Sequence, residues 1–180
     1  EHPATINWMY GAAIIAKTGD HQSFTNYCNK MFERFPTANS IIGERVAKGA
    51  LMMNSNPKLV KDALEYTLIS NSLRQGGGFY NWSCFSVGLG YFRSGDLKNA
   101  ELKCNESLGN TSNTHPWLPG LNNALLSMVY YKTERKEESE KSLKIARECL
   151  NNLDNGNENG LHDTILIDLL LKERESLTKE

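Results

Sequence analysis

The feature that most constrains this fold is a pair of short helical patterns on either side of a tight turn, in residues 81–108. Apolar and small residues recur at helical spacing both before and after the turn. Gly88 precedes the turn and Ala100 follows it, and two such small residues allow antiparallel helices to approach closely. Within the turn, Gly95 tolerates the positive φ that commonly ends a helix, and Asp96 suits the N-cap of the next helix. The stretch therefore predicts a closely packed helical hairpin.

This hairpin resembles one unit of the tetratricopeptide repeat (TPR), a helix-turn-helix motif of about 34 residues. When Ala100 is aligned with the small residue of the unit's second helix, Gly88 falls on the small residue of its first helix. Tyr91 then falls on the aromatic position and Gly95 on the turn. Cys84 departs from the pattern, because the family usually has tryptophan there. The resemblance implies helix pairs that stack into a right-handed superhelix.

Related patterns recur along the chain. A Gly-Asp turn occurs at residues 19–20 as at residues 95–96, and residues 134–135 replace it with Glu-Arg. We therefore predict an all-α chain that forms one domain over residues 1–180. Its architecture is a right-handed α-α superhelix, or TPR-like solenoid, of about four helix pairs followed by a C-terminal capping helix. The predicted units cover residues 5–36, 39–72, 81–112 and 120–153, and the capping helix covers 161–177.

Composition and charge exclude several classes of function. The chain has 180 residues, a net charge of −1 and a pI near 6.5. This balance argues against a general nucleic-acid-binding or anionic-membrane surface, which needs clustered positive charge. No apolar run reaches the length of about 18 residues that a transmembrane helix needs. The start Glu1-His2-Pro3 lacks an initial Met and shows no signal-peptide pattern, so we expect either a processed protein or, in preference, a piece of a longer one, and we favour a cytoplasmic location.

No arrangement of residues indicates catalysis, a metal site or a cofactor. The four histidines lie in predicted helix ends or loops and form no HExxH motif, and no GxSxG occurs. The four cysteines include no CxxC pair, so a zinc site is not expected and small buried thiols are favoured. A disulfide between Cys84 and Cys104 stays an alternative. The glycine run 76–78 lacks the Gly-Lys-Ser/Thr ending of a phosphate loop, which favours a linker.

In a superhelix of this kind, the first helix of each pair lines the concave face. The resemblance implies that recurring positions of these helices form a groove for a protein or peptide partner. The groove residues are then Lys17, Trp82, Phe85, Arg93, Met128 and Lys132. Their three basic residues would form a ladder of positive charge that suits an acidic peptide. Two alternatives stay open: each cation simply ends its helix, where positive charge is favoured, and the two aromatic residues are buried.

The order of segments is also similar to the helical repeat region that follows the kinase domain in some bacterial serine/threonine protein kinases. The segments that carry this similarity are MFERFP, RVAKGALMM, YFRSGDLKNAE, MVYYKTERKEESEKSL and KERESL. The Asn-rich loops and Cys84 depart from it. The resemblance implies an accessory interaction module of a larger signalling protein, without kinase activity of its own.

Two other functions remain open from the sequence. The apolar residues 165–171 of the last helix could pair between chains, which would make the chain a homodimerisation element. Alternatively, the chain could be a helical enzyme or a small-molecule sensor that uses a pocket near Trp82 and Tyr131, and a closed apolar pocket with converging polar groups would favour this alternative. Trp117, in the unusual segment 115–119 (HPWLP), is either an exposed contact residue or packs on the start of the next helix.

Overall fold

The computed structural model describes residues 2–109, 116–153 and 160–178, and these residues form helices and turns without a strand. The predicted all-α class is confirmed. The helices are α1 (His2–Thr18), α2 (His21–Arg34), α3 (Ile42–Ala50), α4 (Pro57–Leu73), α5 (Tyr80–Arg93), α6 (Leu97–Gly109), α7 (Trp117–Lys132), α8 (Lys136–Leu153) and α9 (Leu161–Ser176). α7 begins earlier than predicted because Pro119 is tolerated in the first turn of a helix. Within the described ranges, no helix has the length and apolarity needed to cross a membrane.

The same left-handed backbone conformation ends the first helix of three hairpins. The φ angle is +76° at Gly19, +86° at Gly95 and +61° at Glu134. The Asp20 carboxylate then accepts hydrogen bonds from two backbone N–H groups of α2, and the Asp96 carboxylate accepts one from α6. The third turn keeps the backbone shape of the other two without glycine. Glu134 is the one non-glycine residue with positive φ in the described part of the chain.

Gly88 explains how closely α5 and α6 pack. A Cβ atom added at this glycine would lie 3.1 Å from the Cys104 sulfur and 3.3 Å from the Ala100 carbonyl oxygen. The predicted approach of the two small positions is therefore confirmed. The Ser107 hydroxyl also donates to the Asn81 carbonyl oxygen at 2.8 Å. This bond joins the end of α6 to the start of α5, as an antiparallel pair requires.

The first helices of successive hairpins pack on one another. α3 contacts both α1 and α5, and α5 contacts α7. α7 is enclosed by α5, α6, α8 and α9, and each of its residues from 120 to 129 is buried. A helix without a polar outer face is typical of a central position in a fold. The core is therefore continuous along these helices.

The last helix does more than cover the final hairpin. α9 contacts α7 and α8, as expected of a capping helix, and it also contacts α1. Its buried apolar side chains are Ile165, Leu166, Ile167, Leu170 and Leu171. The apolar face considered for pairing between chains is thus covered within the chain. The contact between α1 and α9 brings residues from distant parts of the sequence to one place.

All four cysteines are free thiols. Cys28, Cys84 and Cys104 are buried, and Cys149 is half-buried. Burial raises the pKa of Cys28 to about 12, and it also raises the pKa of Cys104. The disulfide alternative is not formed, and the preference for small buried thiols is confirmed.

Candidate functional site

A pocket of about 250 Å³ lies where α1, α3, α5, α7 and α9 approach one another. Three kinds of side chain line it. The aliphatic ones are Ile6, Met9 and Ile41. The aromatic ones are Phe79, Trp82 and Trp117. The ionisable ones are Glu44, Arg45, Lys48, Arg74, His162 and Asp163. The pocket therefore combines an apolar wall with a dense group of charges.

Lys48 is the centre of a buried ion cluster in this pocket. Its ammonium nitrogen lies 3.1 Å from a Glu44 carboxylate oxygen and 3.1 Å from Oδ1 of Asp163. The same nitrogen lies over the Trp82 ring, 4.9 Å from the ring centroid. The side chains of Lys48, Glu44 and Asp163 are 3%, 7% and 5% exposed. α3 places the lysine and the glutamate one turn apart on the same face, and the first turn of α9 supplies the second carboxylate.

His162 extends this cluster toward α1. Its Nε2 lies 3.2 Å from Oδ2 of Asp163, so Nε2 carries the proton when the ring is neutral. The other ring nitrogen, Nδ1, is buried and has no hydrogen-bond partner among the described residues. The ring packs edge-on against Tyr10, with the two ring centroids 4.9 Å apart. α9 is thus joined to α3 through Asp163 and to α1 through His162.

The charges of this cluster keep each other ionised. Burial alone would lower the pKa of Lys48, but the attraction of Asp163 and Glu44 outweighs it and raises the pKa above its ordinary value. Burial alone would raise the pKa of Asp163, but Lys48 and His162 outweigh it, and the net shift is downward. A general acid or base that works near neutral pH needs a pKa moved toward neutrality. The pKa values of Lys48 and Asp163 instead move away from neutrality, which is typical of a structural ion network.

Two arginines line the pocket outside the ion cluster. Nη1 of Arg45 donates to the Thr5 hydroxyl at 3.2 Å. Nη1 of Arg74 donates to the Phe79 carbonyl oxygen at 3.4 Å, and its guanidinium lies 5.7 Å from the centroid of the Phe79 ring. Burial lowers the pKa of Arg74, the charge of Glu44 opposes this, and the like charge of Arg45 adds to the lowering. Arg74 is a partly desolvated cation that forms no ion pair with the described carboxylates.

Trp117 covers the start of α9 and lines the pocket. A Cβ atom added at Gly160 would lie only 2.0 Å from Cε2 of the Trp117 indole. The indole therefore lies directly on the glycine backbone, and the tryptophan is half-buried. Trp117 is therefore not a fully exposed contact residue. It packs on the start of a helix, and that helix is α9. Residues 110–115, including His115, lie outside the described ranges.

The six residues predicted to line a peptide groove are not gathered at one site. Phe85 and Met128 are fully buried, and the Arg93 side chain is 1% exposed. The physical reason is that α5 and α7 are surrounded by neighbouring helices, so their inner faces belong to the core. The other three predicted residues retain accessible surface: Lys17, Trp82 and Lys132. Of the six, only Trp82 lines the pocket that contains the ion cluster.

A second cleft, of about 340 Å³, brings Arg93 and Lys132 together. One guanidinium nitrogen of Arg93 lies 2.6 and 2.7 Å from the two carboxylate oxygens of Glu173. The other guanidinium nitrogens donate to the carbonyl oxygens of Leu51 and Met52 at 3.1 and 3.3 Å. α9 therefore supplies the acid that Arg93 binds, while Lys132 remains exposed in the cleft.

The ion cluster and the arginine pair are not predicted from the sequence. A usable signal existed in Lys48, a lone lysine inside the apolar run RVAKGALMM and one turn after Glu44. Its partner Asp163 is 115 residues away, and no local pattern connects the two. The sequence predicts a helix end or loop at His162, and the residue lies in the first turn of α9. In the described part of the chain, no three His, Cys, Asp or Glu side chains are grouped so that they could hold a metal.

Comparisons with protein-family models, with curated proteins and with solved structures found no match. The function of the pocket is therefore inferred from its own geometry and chemistry.

Proposed function

We propose that this chain is a non-catalytic binding module that holds a small molecule in the pocket between α1, α3 and α9. The observation that carries this proposal is the pocket itself, which has a volume of about 250 Å³ and is lined by distant segments of the sequence. Small-molecule sites typically combine apolar walls with a few fixed polar groups. The pocket has both, and its lining is held in place by the buried ion cluster.

We also infer that the helix pairs form the right-handed, TPR-like superhelix expected from the repeat resemblance. Three features support this: antiparallel hairpins, a left-handed turn that recurs between paired helices, and contacts between the first helices of successive pairs. In this arrangement α9 lies on the concave side, where it reaches both α7 and α1. The pocket is the part of the groove that α9 leaves open.

The non-catalytic role is supported by the state of the ionisable groups. Lys48 is held between two carboxylates, so its ammonium is not available as a nucleophile. Both oxygens of Asp163 are engaged, one by Lys48 and one by His162. The carboxylate remains ionised and hydrogen-bonded instead of poised to move a proton. The cluster positions α9 and shapes the pocket.

A pair of variants on one helix tests small-molecule binding. Ile6 lines the pocket, whereas Ile14 lies on the same helix and is 57% exposed. A library of chemically diverse fragments is screened by protein-observed NMR against wild type, Ile6→Trp and Ile14→Trp. We expect fragments that shift the Trp82 and Trp117 indole signals of wild type and Ile14→Trp but not those of Ile6→Trp. Fragments that bind all three proteins equally, or a library without a pocket ligand, would contradict the proposal.

A protein or peptide partner with acidic groups is the second candidate. The specific observation is the second cleft, where exposed Lys132 lies near Arg93 and its internal acid Glu173. Glu173→Gln would release the Arg93 charge. An acidic peptide titrated into the protein should then bind more tightly to this variant than to wild type. Equal affinity for the two proteins, or none for either, would reject this cleft as an acidic-peptide site.

On the resemblance alone, we propose that the chain is an accessory module of a larger signalling protein. The residues encoded before Glu1 test this proposal. A kinase domain directly upstream supports it, and an unrelated upstream domain overturns it.

A further inference from the structure

We propose that the ligand of this pocket is a small organic anion with one acidic group on a compact apolar or aromatic body. Its acidic group would lie at Arg74, and its body would contact the aromatic walls. This inference rests on the proposed small-molecule function and specifies the class of ligand.

The distribution of charge in the pocket favours an anion over a cation. The two carboxylates, Glu44 and Asp163, already bind Lys48 and are not free to receive a second cation. Among the other charged side chains of the lining, Arg74 forms no ion pair with the described carboxylates. Apart from His162, the described lining contains three basic and two acidic side chains, an excess of one positive charge. A single negative charge on the ligand balances it.

Arg74 gives the anion a defined position. Its guanidinium is partly desolvated, lies near a second guanidinium and forms no ion pair with the described carboxylates. The Glu44 carboxylate offsets this desolvation only in part, because the pKa of Arg74 stays below its ordinary value, so an anion that pairs with the guanidinium would be favourable. A guanidinium offers parallel N–H donors that match the two oxygens of a carboxylate. One donor of Arg74 is used on the Phe79 carbonyl oxygen, which fixes the orientation of the group.

The size and walls of the pocket limit the body of the ligand. A volume of about 250 Å³ lies below the range of about 300–1,000 Å³ typical of drug-sized ligands. Trp82 and Trp117 provide flat surfaces, and Ile6 and Met9 provide the aliphatic wall. A compact ring or branched apolar group fits this lining, whereas an extended polar chain does not.

A matched series of probes tests the charge of the ligand. Phenylacetate, phenylacetamide and phenethylamine present the same ring with a negative, a neutral and a positive group, and inorganic phosphate presents an anion without a body. Dissociation constants are measured by NMR titration of the full chain, with the Trp82 and Trp117 indole signals as reporters and the Trp8 signal as an internal reference. We expect phenylacetate to bind about tenfold or more tightly than phenylacetamide, since hydrogen bonds to charged groups are the stronger ones. Phenethylamine and phosphate should bind more weakly than phenylacetate.

Variants of one arginine then locate the acidic group. Arg74→Gln should weaken phenylacetate binding to the level of phenylacetamide while leaving phenylacetamide unchanged. Arg74→Lys should give an intermediate affinity, because a lysine keeps the charge but loses the planar pair of donors. Arg34→Gln, at an exposed position on α2, is the control and should bind like wild type. If Arg74→Gln does not fold, Arg74→Lys carries the test alone.

The outcomes separate this inference from the function on which it rests. If phenylacetate and phenylacetamide bind equally and both lose binding in Ile6→Trp, the inference that the ligand is an anion is wrong, whereas the small-molecule function is still supported. Tighter binding of phenethylamine has the same meaning. If phosphate binds as tightly as phenylacetate, the inference that the ligand has an apolar or aromatic body is wrong. Failure of the four probes together with an empty fragment screen overturns both proposals.

Discussion

At the scale of single residues, Lys48 is a buried cation that pairs with two buried carboxylates. It neutralises Glu44 and Asp163, and the three side chains are only 3–7% exposed. Lys48→Met removes the cation and leaves two buried carboxylates facing each other. We expect the free energy of unfolding to fall by about 3–5 kcal/mol, the usual cost of breaking a buried ion pair on one side. Urea denaturation at pH 7 measures this loss.

The exposed pair of Lys58 and Asp62 offers a matched control for that measurement. It has the same one-turn spacing within a helix, but the Lys58 side chain is 84% exposed. Lys58→Met should hardly change the urea midpoint, because exposed ion pairs contribute little. Similar losses in the two variants would mean that the buried cluster does not stabilise the fold as inferred.

Glu134 is a second residue whose conformation predicts a measurable effect. Its φ of +61° lies in the left-handed region, which glycine adopts without the steric cost that a Cβ atom brings. Glu134→Gly should therefore stabilise the protein by about 0.5–1 kcal/mol, after the greater freedom of glycine in the unfolded chain is taken into account. In a domain of this size such a gain raises Tm by about 1–4 °C. Calorimetry checks this, with Gly95→Ala as the reverse substitution, which should lower Tm.

At the scale of elements, α9 is fastened to the rest of the molecule by polar contacts at each of its ends. Asp163 in its first turn pairs with Lys48 of α3, and Glu173 near its end pairs with Arg93 of α5. The apolar face between them supplies most of the burial, but the two ion pairs fix which residues of α9 face which helix. Buried polar contacts can specify the register of a helix in this way, in addition to any effect on stability.

The attachment of α9 should depend on pH in the acid range. The pKa of Asp163 is lower in the folded than in the unfolded protein, because Lys48 and His162 outweigh the effect of burial. Its ionised form therefore stabilises the fold above the unfolded pKa near 4, and this contribution is lost as the pH falls through the folded value. We expect the free energy of unfolding, measured with urea at pH 7 and pH 3, to decrease less for Asp163→Asn than for wild type.

Asp62→Asn serves as the control for this pH dependence, since it removes a carboxylate from an exposed pair. It should keep the pH dependence of the wild type. If Asp163→Asn also kept it, the acid sensitivity of the fold would come from other carboxylates.

At the scale of the whole molecule, the helices were predictable from patterns of neighbouring residues, whereas the pocket depends on contacts between helices that are far apart in the sequence. The hairpin of α5 and α6 was predictable because Gly88, Ala100 and the turn at Gly95 all act within a few residues of one another. The pairing of Lys48 with Asp163 was not, because it depends on how α9 crosses to α3 and α1. The burial of Met128 followed from the same arrangement, since α7 is enclosed on its inner side by α9.

The contact between α1 and α9 has a consequence for how the molecule loses its structure. In an open stack of hairpins, each terminal unit can fray on its own, because it leans on a single neighbour. Here α1 and α9 contact each other, so neither helix should unfold independently of the other. Amide hydrogens in both helices should exchange with solvent water as one cooperative group, in spite of the long stretch of chain that separates them.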